Sequence, residues 1–212
     1  MTLEETLAQI KPLDKNAMDV AAKRWDSIAK PLHSLGKMEK LVIQIAGITG
    51  NPDMKIQKRA LVPMCADNGV VEEGVTQTGQ EVTAIVAENF LSGDTSACVM
   101  SRQCGPKVIP VDIGMAVDTK VSKELKVAYG TANMTKGPAM TRAQAVQALE
   151  AGIEMVRRLK EEGYGLLATG EMGIGNTTTS SAGSFCGRND RERGRSFRRW
   201  TESKNQCNQK SN

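Results

Sequence analysis

The sequence has few aromatic residues, a single histidine and no long hydrophobic run. Phe, Trp and Tyr make up 3% of the 212 residues, so the core must be built from Val, Ile, Leu, Met and Ala. No apolar stretch approaches the ~20 residues that a membrane-spanning helix needs, and the acidic, amphipathic N-terminus is unlike a secretory signal. We therefore expect a cytoplasmic protein with no membrane partner.

Support for metal or thiol chemistry is also lacking. No two cysteines have CxxC spacing, and the only histidine, His33, lies in a predicted turn between helices. Zinc sites need clustered Cys and His ligands, and scattered cysteines in a cytosolic chain are usually reduced core residues. We therefore predict no metal site and reduced core positions for the cysteines, namely Cys65, Cys98, Cys104, Cys186 and Cys207.

The net charge of +4 is unevenly distributed. Residues 182–212 contain eight Lys or Arg and three Asp or Glu, whereas the preceding 181 residues contain 20 bases and 21 acids. The basic character of the chain thus belongs to its tail and carries no information about the folded body.

The first 50 residues have the periodicity of helices. Asp14 can cap a helix over residues 15–29, and a second helix is predicted over 37–49, closed by the turn at residues 50–52. The residues predicted to share the apolar faces of the two helices are Met18, Ala21, Ala22, Trp25 and Ile28, and Met38, Leu41, Val42, Ile45 and Ala46.

The middle of the chain alternates between strand and helix patterns. Strands are predicted at 59–66, 107–114 and 164–170, and helical patterns at 80–100, with a break at Ser92-Gly93, and at 142–162, capped by Thr141. This alternation predicts an α/β fold: a doubly wound parallel sheet with helices on both faces, preceded by a small helical segment. Pro63 argues against a central position for the first strand.

Each predicted strand ends in an acid followed by glycine. The ends carry Asp67 with Gly69, Asp112 with Gly114, and Glu171 with Gly173 and Gly175. Ligands of such sheets bind beyond the carboxyl ends of the strands, so we expect the site there. Asp67 and Asn68 open a long polar loop that is either part of this site or a plain surface loop.

The segment 170–181 has the composition of a phosphate-binding loop. Gly173 and Gly175 allow backbone N–H groups to approach an anion, and a helix N-terminus favours a phosphate. Asn176, Thr177 and Thr178 can cap that helix and add donors. A tight strand-to-helix turn with ordinary capping is the alternative, and the run of hydroxyls favours phosphate. Glu171 is either a general base or ribose ligand, or a solvated acid.

Six segments, taken in order, resemble one known family. They are KPLHSLGKMEKL (30–41), ADNGVVEEGVT (66–76), VTAIVAENFLSGDTSACVMSRQCG (82–105), VDIGM (111–115), GTANMTKGPAMTRAQA (130–145) and GEMGIGNTTTSSA (170–182). The family is nicotinate-nucleotide–dimethylbenzimidazole phosphoribosyltransferase, of the cobalamin lower-ligand pathway. The resemblance covers about residues 20–190.

The resemblance implies an activity and an architecture. The family transfers the 5-phosphoribosyl group of nicotinate mononucleotide to a benzimidazole nitrogen, with inversion, giving α-ribazole 5′-phosphate and nicotinate. It uses no metal and no cofactor, and it forms homodimers. By this resemblance residues 1–52 belong to the small domain, and residues 53–190 form an incomplete Rossmann-like phosphoribosyltransferase domain.

The resemblance also suggests roles for individual residues. Glu171 would stabilise positive charge in an oxocarbenium-like transition state as an auxiliary carboxylate. The residues expected to bind phosphate and ribose are Gly173, Gly175, Asn176, Thr177 and Thr178. Those expected to contact the acceptor base are Thr76, Val82, Ile85, Val86 and Phe90. Family members often have Gln at the position of Ile85, which leaves the preferred base open. The family's general-base Glu lies beyond residue 212.

After about residue 190 the resemblance and the apolar periodicity both stop. One interpretation is a basic arm for nucleic acid. A shifted reading frame is favoured, which predicts an aberrant, disordered tail over 191–212, a missing C-terminal part, and little or no catalytic activity. No nucleic-acid partner is then expected. A non-catalytic module that binds nucleotide phosphate is the alternative function.

Overall fold

The computed structural model describes the backbone of residues 1–185, and these residues belong to two compact units. The first unit is Met1–Gln57 and the second begins at Lys58. The predicted aberrant tail, 191–212, lies outside the described residues. Among the described helices, none combines the length and apolar character needed to cross a bilayer.

The first unit consists of three helices, α1 (Leu3–Ala8), α2 (Lys15–Ser27) and α3 (Lys37–Thr49). Asp14 caps α2 by accepting a hydrogen bond from the Ala17 N–H at 2.9 Å, and Gly50 ends α3 in the left-handed conformation. Both predicted helices are confirmed, although α2 ends two residues early. The helices pack through small residues, since a Cβ on Gly47 would lie 2.6 Å from the Met18 side chain.

The turn between α2 and α3 is built around the buried carboxylate of Glu39. Glu39 is 4% exposed, pairs with Lys30 at 2.8 Å, and accepts the Leu35 N–H at 3.2 Å. These bonds lower the pKa of Glu39, chiefly through Lys30. The predicted apolar face of α3 is therefore partly wrong, because Met38 and Leu41 are exposed whereas the polar residue Glu39 is buried.

The second unit is a parallel α/β sheet, as predicted. Its described strands are β1 (Arg59–Ala66), β2 (Lys107–Val108), β3 (Val111–Gly114) and β4 (Leu166–Met172). A short 3₁₀ helix (Gly69–Glu73) follows β1, and the α-helices are α4 (Glu81–Ser92), α5 (Ser96–Cys104), α6 (Arg142–Glu161) and α7 (Asn176–Phe185). Strand β1 pairs with β4 on one side and with β2 and then β3 on the other.

Pro63 lies in β1, which is the central strand of the sheet. The prediction that Pro63 would exclude a central position for this strand is therefore wrong. The Ile109 N–H donates to the Leu61 carbonyl at 2.9 Å, so alternate residues of β1 from Leu61 onward, including Pro63, direct their backbone toward β2 and β3. The partner strand is interrupted there, between Val108 and Val111. The missing proline N–H therefore faces a break in the ladder, where no donor is needed.

Helices cover both faces of the sheet, as predicted. On one face Ala60 and Val62 of β1 pack with Leu159 of α6. On the other, Cys65 packs with Ala87 of α4 and with Met115. Because side chains alternate along a strand, β1 supplies both cores and can be almost wholly apolar.

Element boundaries differ from prediction at two strands. The strand predicted at 107–114 is split at Ile109 and Pro110. The strand predicted at 164–170 begins at Leu166 and extends to Met172, so Gly170 and Glu171 lie in the sheet and not in a loop. The predicted break at residues 92–93 is confirmed, with Gly93 ending α4 at φ 86°.

The cysteines follow the prediction only in part. Cys65 and Cys98 are buried and free, whereas Cys104 is exposed. Burial and the neighbouring carboxylate of Asp112 raise the pKa of the Cys65 thiol to about 12, so it stays protonated at neutral pH. Cys186 and Cys207 lie outside the described residues.

Candidate functional site

The acids at the ends of β1 and β3 are buried and hold the neighbouring loops. Asp67 is 1% exposed and accepts the Ala116 N–H at 2.7 Å. Asp112 is fully buried, accepts the N–H groups of Gly114 and Met115, and pairs with Lys126 at 3.1 Å. The coincidence of acids at strand ends therefore has a structural explanation, because buried carboxylates need such partners.

Two of the quoted motifs are joined beside β1. The Asn133 side chain donates to Glu73 at 2.6 Å, Lys136 pairs with Glu72 at 2.7 Å, and the Gly69 N–H donates to the Thr131 hydroxyl at 3.1 Å. Hydrogen bonds from Lys136 and Asn133 lower the pKa of Glu72. These contacts fix the loop after β1, including Asn68, against the segment 131–136.

The Gly-rich loop comes directly after β4 and leads into α7. A Cβ on Gly173 would overlap the Ala66 carbonyl oxygen, and Gly175 has φ 88° with Val71 Cγ2 3.0 Å from its missing Cβ. Both glycines are therefore required by close packing and backbone conformation, whether or not a ligand is bound.

Between these glycines, Ile174 is held by two side chains. Its N–H donates to the Thr83 hydroxyl at 3.0 Å, and its carbonyl accepts the Asn68 side-chain N–H at 3.1 Å. Thr83 is fully buried and was missed by the sequence reasoning. A signal was present: Thr83 shares the buried face of α4 with Ala87, four residues later, where a polar residue needs a partner.

A cleft of about 460 Å³ lies between the segments 75–78 and 172–176. Its lining contains three of the predicted phosphate-binding residues, Gly173, Gly175 and Asn176, together with Thr76. Thr177 and Thr178 do not line it. Thr178 is fully buried, and its hydroxyl has no hydrogen-bond partner within the described part of the chain.

The α4 residues predicted to contact the acceptor base do not line this cleft. Ile85 is 56% exposed, and Phe90 packs on the core beside Cys65 and Ala87. Phe90 is seven residues beyond Thr83, roughly 10 Å along the helix axis. Val82 and Val86 are half-buried. The structure therefore brings Thr76, and none of these four residues, to the Gly-rich loop.

A larger cavity, about 550 Å³, opens beyond β3. It is lined mainly by alanine, glycine and other apolar residues, with Arg142 and Gln144 of α6 at its border. None of the predicted site residues lines it. Among the described residues, no group of three or more His, Cys, Asp or Glu is placed to hold a metal.

Glu171 lies inside β4, opposite Met64. The adjacent Met172 packs on the α4 face of the sheet, so the Glu171 side chain leaves from the other face. The residue is exposed and forms no hydrogen bond or ion pair with the described part of the chain. Partial desolvation raises the pKa of this carboxyl above the usual glutamate value.

This carboxyl should titrate at higher pH than a glutamate in an unfolded chain. The folded state then binds more protons than the unfolded state just above the usual glutamate pKa, so Glu171 makes stability fall as pH rises through that window. Glu154 is the comparison, because hydrogen bonds from Arg157 and Arg158 lower its pKa to about 2. Carboxyl ¹³C shifts followed from pH 2 to 8 test this; a Glu171 midpoint at or below the usual value contradicts it.

Comparison with known proteins identifies the family. A family model described as phosphoribosyltransferase matches residues 10–187. The nicotinate-nucleotide–dimethylbenzimidazole phosphoribosyltransferase of Clostridium tetani is 51% identical over 182 residues, 85% of this chain and 50% of the relative. The enzyme of that name from Ruminiclostridium cellulolyticum is 50% identical over 184 residues, 86% of this chain and 52% of the relative.

Solved structures agree with the sequence relatives. CobT from Thermus thermophilus has a TM-score of 0.73 at 37% identity, covering 81% of this chain and 53% of its own. A second structure is that of the nicotinate-nucleotide–dimethylbenzimidazole phosphoribosyltransferase from the same organism. It has a TM-score of 0.78 at 34% identity, and the match covers 92% of this chain and 62% of its own. The chain spans about half the length of the curated relatives it matches. By sequence and by fold, it belongs to the nicotinate-nucleotide–dimethylbenzimidazole phosphoribosyltransferase family.

Proposed function

We propose that the 460 Å³ cleft binds the phosphoribosyl group of nicotinate mononucleotide. The observation that carries this proposal is the convergence of Gly173, Gly175 and Asn176 with Thr76 at the carboxyl edge of the sheet. The cleft adjoins the N-terminus of α7, whose dipole favours a phosphate. The names of the relatives, which refer to nicotinate nucleotide, support this choice of ligand.

The reaction that we propose for the family's site is transfer of the phosphoribosyl group to dimethylbenzimidazole or a related base. The bond between C1′ and the nicotinate nitrogen breaks, and its electron pair leaves with nicotinate. An acceptor ring nitrogen attacks C1′ from the opposite face, and the other ring nitrogen gives its proton to a general base. The product is α-ribazole 5′-phosphate.

In this scheme Glu171 stabilises the positive charge that develops on the ribose. Glu171 does not itself line the cleft, but it is adjacent in sequence to Met172, which does. Its support is an exposed carboxylate at the end of β4 without a partner among the described residues. A charged group left without a structural partner is available for a ligand. The base contacts of Thr76, Val82, Ile85, Val86 and Phe90 stay predictions. The phosphate or ribose contacts of Thr177 and Thr178 also stay predictions, as does a place in the site for the loop residues Asp67 and Asn68.

Homodimer formation also stays a prediction, made from the family resemblance. The cytoplasmic location stays a prediction from the sequence. The residues that line the cleft all belong to the second unit.

Calorimetric titration of the full chain with nicotinate mononucleotide tests the proposed site. We expect binding at least about tenfold tighter than that of nicotinate riboside, because the phosphate adds charge-assisted hydrogen bonds. Asn176→Ala should weaken binding of the nucleotide. Asn89→Ala, an exposed position on α4, is the matched control and should leave it unchanged.

Two results would count against the proposal. Equal affinity for nucleotide and riboside would show that the protein does not bind the phosphate. Unchanged nucleotide affinity in Asn176→Ala would show that the nucleotide binds outside this cleft. Formation of α-ribazole 5′-phosphate from nicotinate mononucleotide and dimethylbenzimidazole tests the transfer step. Phosphate-dependent binding without product would favour the non-catalytic module.

A further inference from the structure

We propose that Thr83 and Asn68 are positioning residues that orient the Gly-rich loop and present the Gly175 N–H to the ligand phosphate. The inference rests on the proposed function for the identity of the ligand. It goes beyond that function by assigning roles to two side chains that lie outside the lining of the cleft.

Thr83 fixes the peptide unit between Gly173 and Ile174. The Ile174 N–H donates to the Thr83 hydroxyl at 3.0 Å, so this donor is occupied inside the protein and is withdrawn from the ligand. Thr83 is fully buried in the first turn of α4, where water cannot replace the bond. Breaking this hydrogen bond would leave a buried polar group unsatisfied. The bond therefore anchors the loop strongly.

Asn68 fixes the peptide unit between Ile174 and Gly175. Asn68 donates its side-chain N–H to the Ile174 carbonyl at 3.1 Å. In a trans peptide the carbonyl and the following N–H point in opposite directions, and the described chain has no cis peptide bond. The Gly175 N–H is therefore directed away from Asn68, and Asn68 does not line the cleft.

Backbone hydrogen bonds fix the peptide unit between Gly175 and Asn176. The Gly175 carbonyl accepts the N–H groups of Thr178 and Thr179 at 3.0 and 3.3 Å, and the Asn176 N–H donates to the Gly173 carbonyl at 3.0 Å. Three consecutive peptide units thus have fixed orientations. Asn68 is itself held, since Thr179 donates to its side-chain oxygen and Gln80 to its backbone carbonyl.

Thr83→Val tests the role of Thr83, because valine keeps the β-branched shape and loses the hydroxyl. We expect affinity for nicotinate mononucleotide to fall at least about tenfold, corresponding to loss of a buried hydrogen bond. Thr83→Ser retains the hydroxyl and should stay within about threefold of the parent. Hydrogen exchange of the Ile174 amide, measured without ligand, should accelerate at least about tenfold in Thr83→Val and stay slow in Thr83→Ser.

Asn68→Asp is an independent variant for the second contact. Aspartate keeps the oxygen that accepts from Thr179 and loses the donor to the Ile174 carbonyl, so we expect a similar loss of affinity. This variant carries the test if Thr83→Val does not fold, as judged by circular dichroism.

The outcomes separate this inference from the proposed function. If the parent binds the nucleotide and Thr83→Val binds equally well, the positioning role is wrong. The positioning role is also wrong if Thr83→Ser binds the nucleotide as weakly as Thr83→Val, since the packing of the side chain and not its hydroxyl would then determine the affinity. If the parent does not bind the nucleotide, the proposed function fails. Independently of binding, an unchanged exchange rate of the Ile174 amide in Thr83→Val would overturn the role of Thr83 in holding the loop.

Discussion

Replacing Lys126 by methionine should destabilise the protein by about 3–5 kcal/mol, the cost of leaving a buried charge without its partner. The Lys126 side chain is 6% exposed and lies 3.1 Å from the fully buried carboxylate of Asp112. It also donates to the Val117 carbonyl at 3.2 Å and lies 3.9 Å from the Tyr129 ring centre. Methionine preserves much of the packing volume, so the loss is chiefly electrostatic. Urea denaturation monitored by circular dichroism measures it.

Two further variants make this test specific. Lys123→Met removes an exposed pair with Asp118 and should have only a small effect, because surface pairs are screened by water. Adding Asp112→Asn to Lys126→Met should recover part of the lost stability, since the buried charge is then gone. Equal losses of unfolding free energy in Lys126→Met and Lys123→Met would show that the buried pair contributes no more to stability than the exposed pair.

Replacing Gly173 by alanine should displace the Gly-rich loop and cost about 1–3 kcal/mol of stability, as overpacking does. The added Cβ would overlap the Ala66 carbonyl oxygen and lie 3.0 Å from the Asn68 side-chain nitrogen. A backbone oxygen cannot move aside as a flexible side chain can. Because Asn68 also holds Ile174, we expect affinity for nicotinate mononucleotide to fall at least about tenfold as well.

Gly137→Ala is the matched control for Gly173→Ala. No heavy atom lies within 4 Å of the Cβ that it would add. Its effect on stability should stay within about 0.5 kcal/mol, and nucleotide affinity should not change. Thermal unfolding measures the stability of both variants, and calorimetric titration measures their affinity for the nucleotide. A Gly173→Ala protein with parental stability and affinity would contradict the close packing described for this loop.

Much of the fold was predictable because its signals are local. Asp14 and Thr141 occupy the caps where they were expected, and Gly93 ends α4 at the predicted break. Capping residues, glycines and the period of apolar residues act within one or two turns of chain, so a single sequence contains them in full. The same short segments carry the family resemblance.

The site was predictable only in outline. The loop at Gly173–Gly175 and its place beyond a strand were expected, and Thr76 does join it at the cleft. Glu171 was expected in a loop and lies in β4. Phe90 was expected to contact the acceptor base, and its side chain packs on the core. The glycines were read as an adaptation to phosphate, and they are also required by packing against Ala66 and Val71.

The sequence by itself determined most of the helices and strands and their order, the parallel α/β class and the position of the Gly-rich loop. It did not predict the helix Leu3–Ala8 or the 3₁₀ helix Gly69–Glu73. Only the tertiary structure decided that Pro63 lies in the central strand, that Asp112 is neutralised by Lys126, and that Thr83 holds Ile174 from 91 positions away. The physical reason is the range of the interactions. Propensities and caps depend on neighbours in sequence, whereas buried polar groups find partners that only the folded chain brings together.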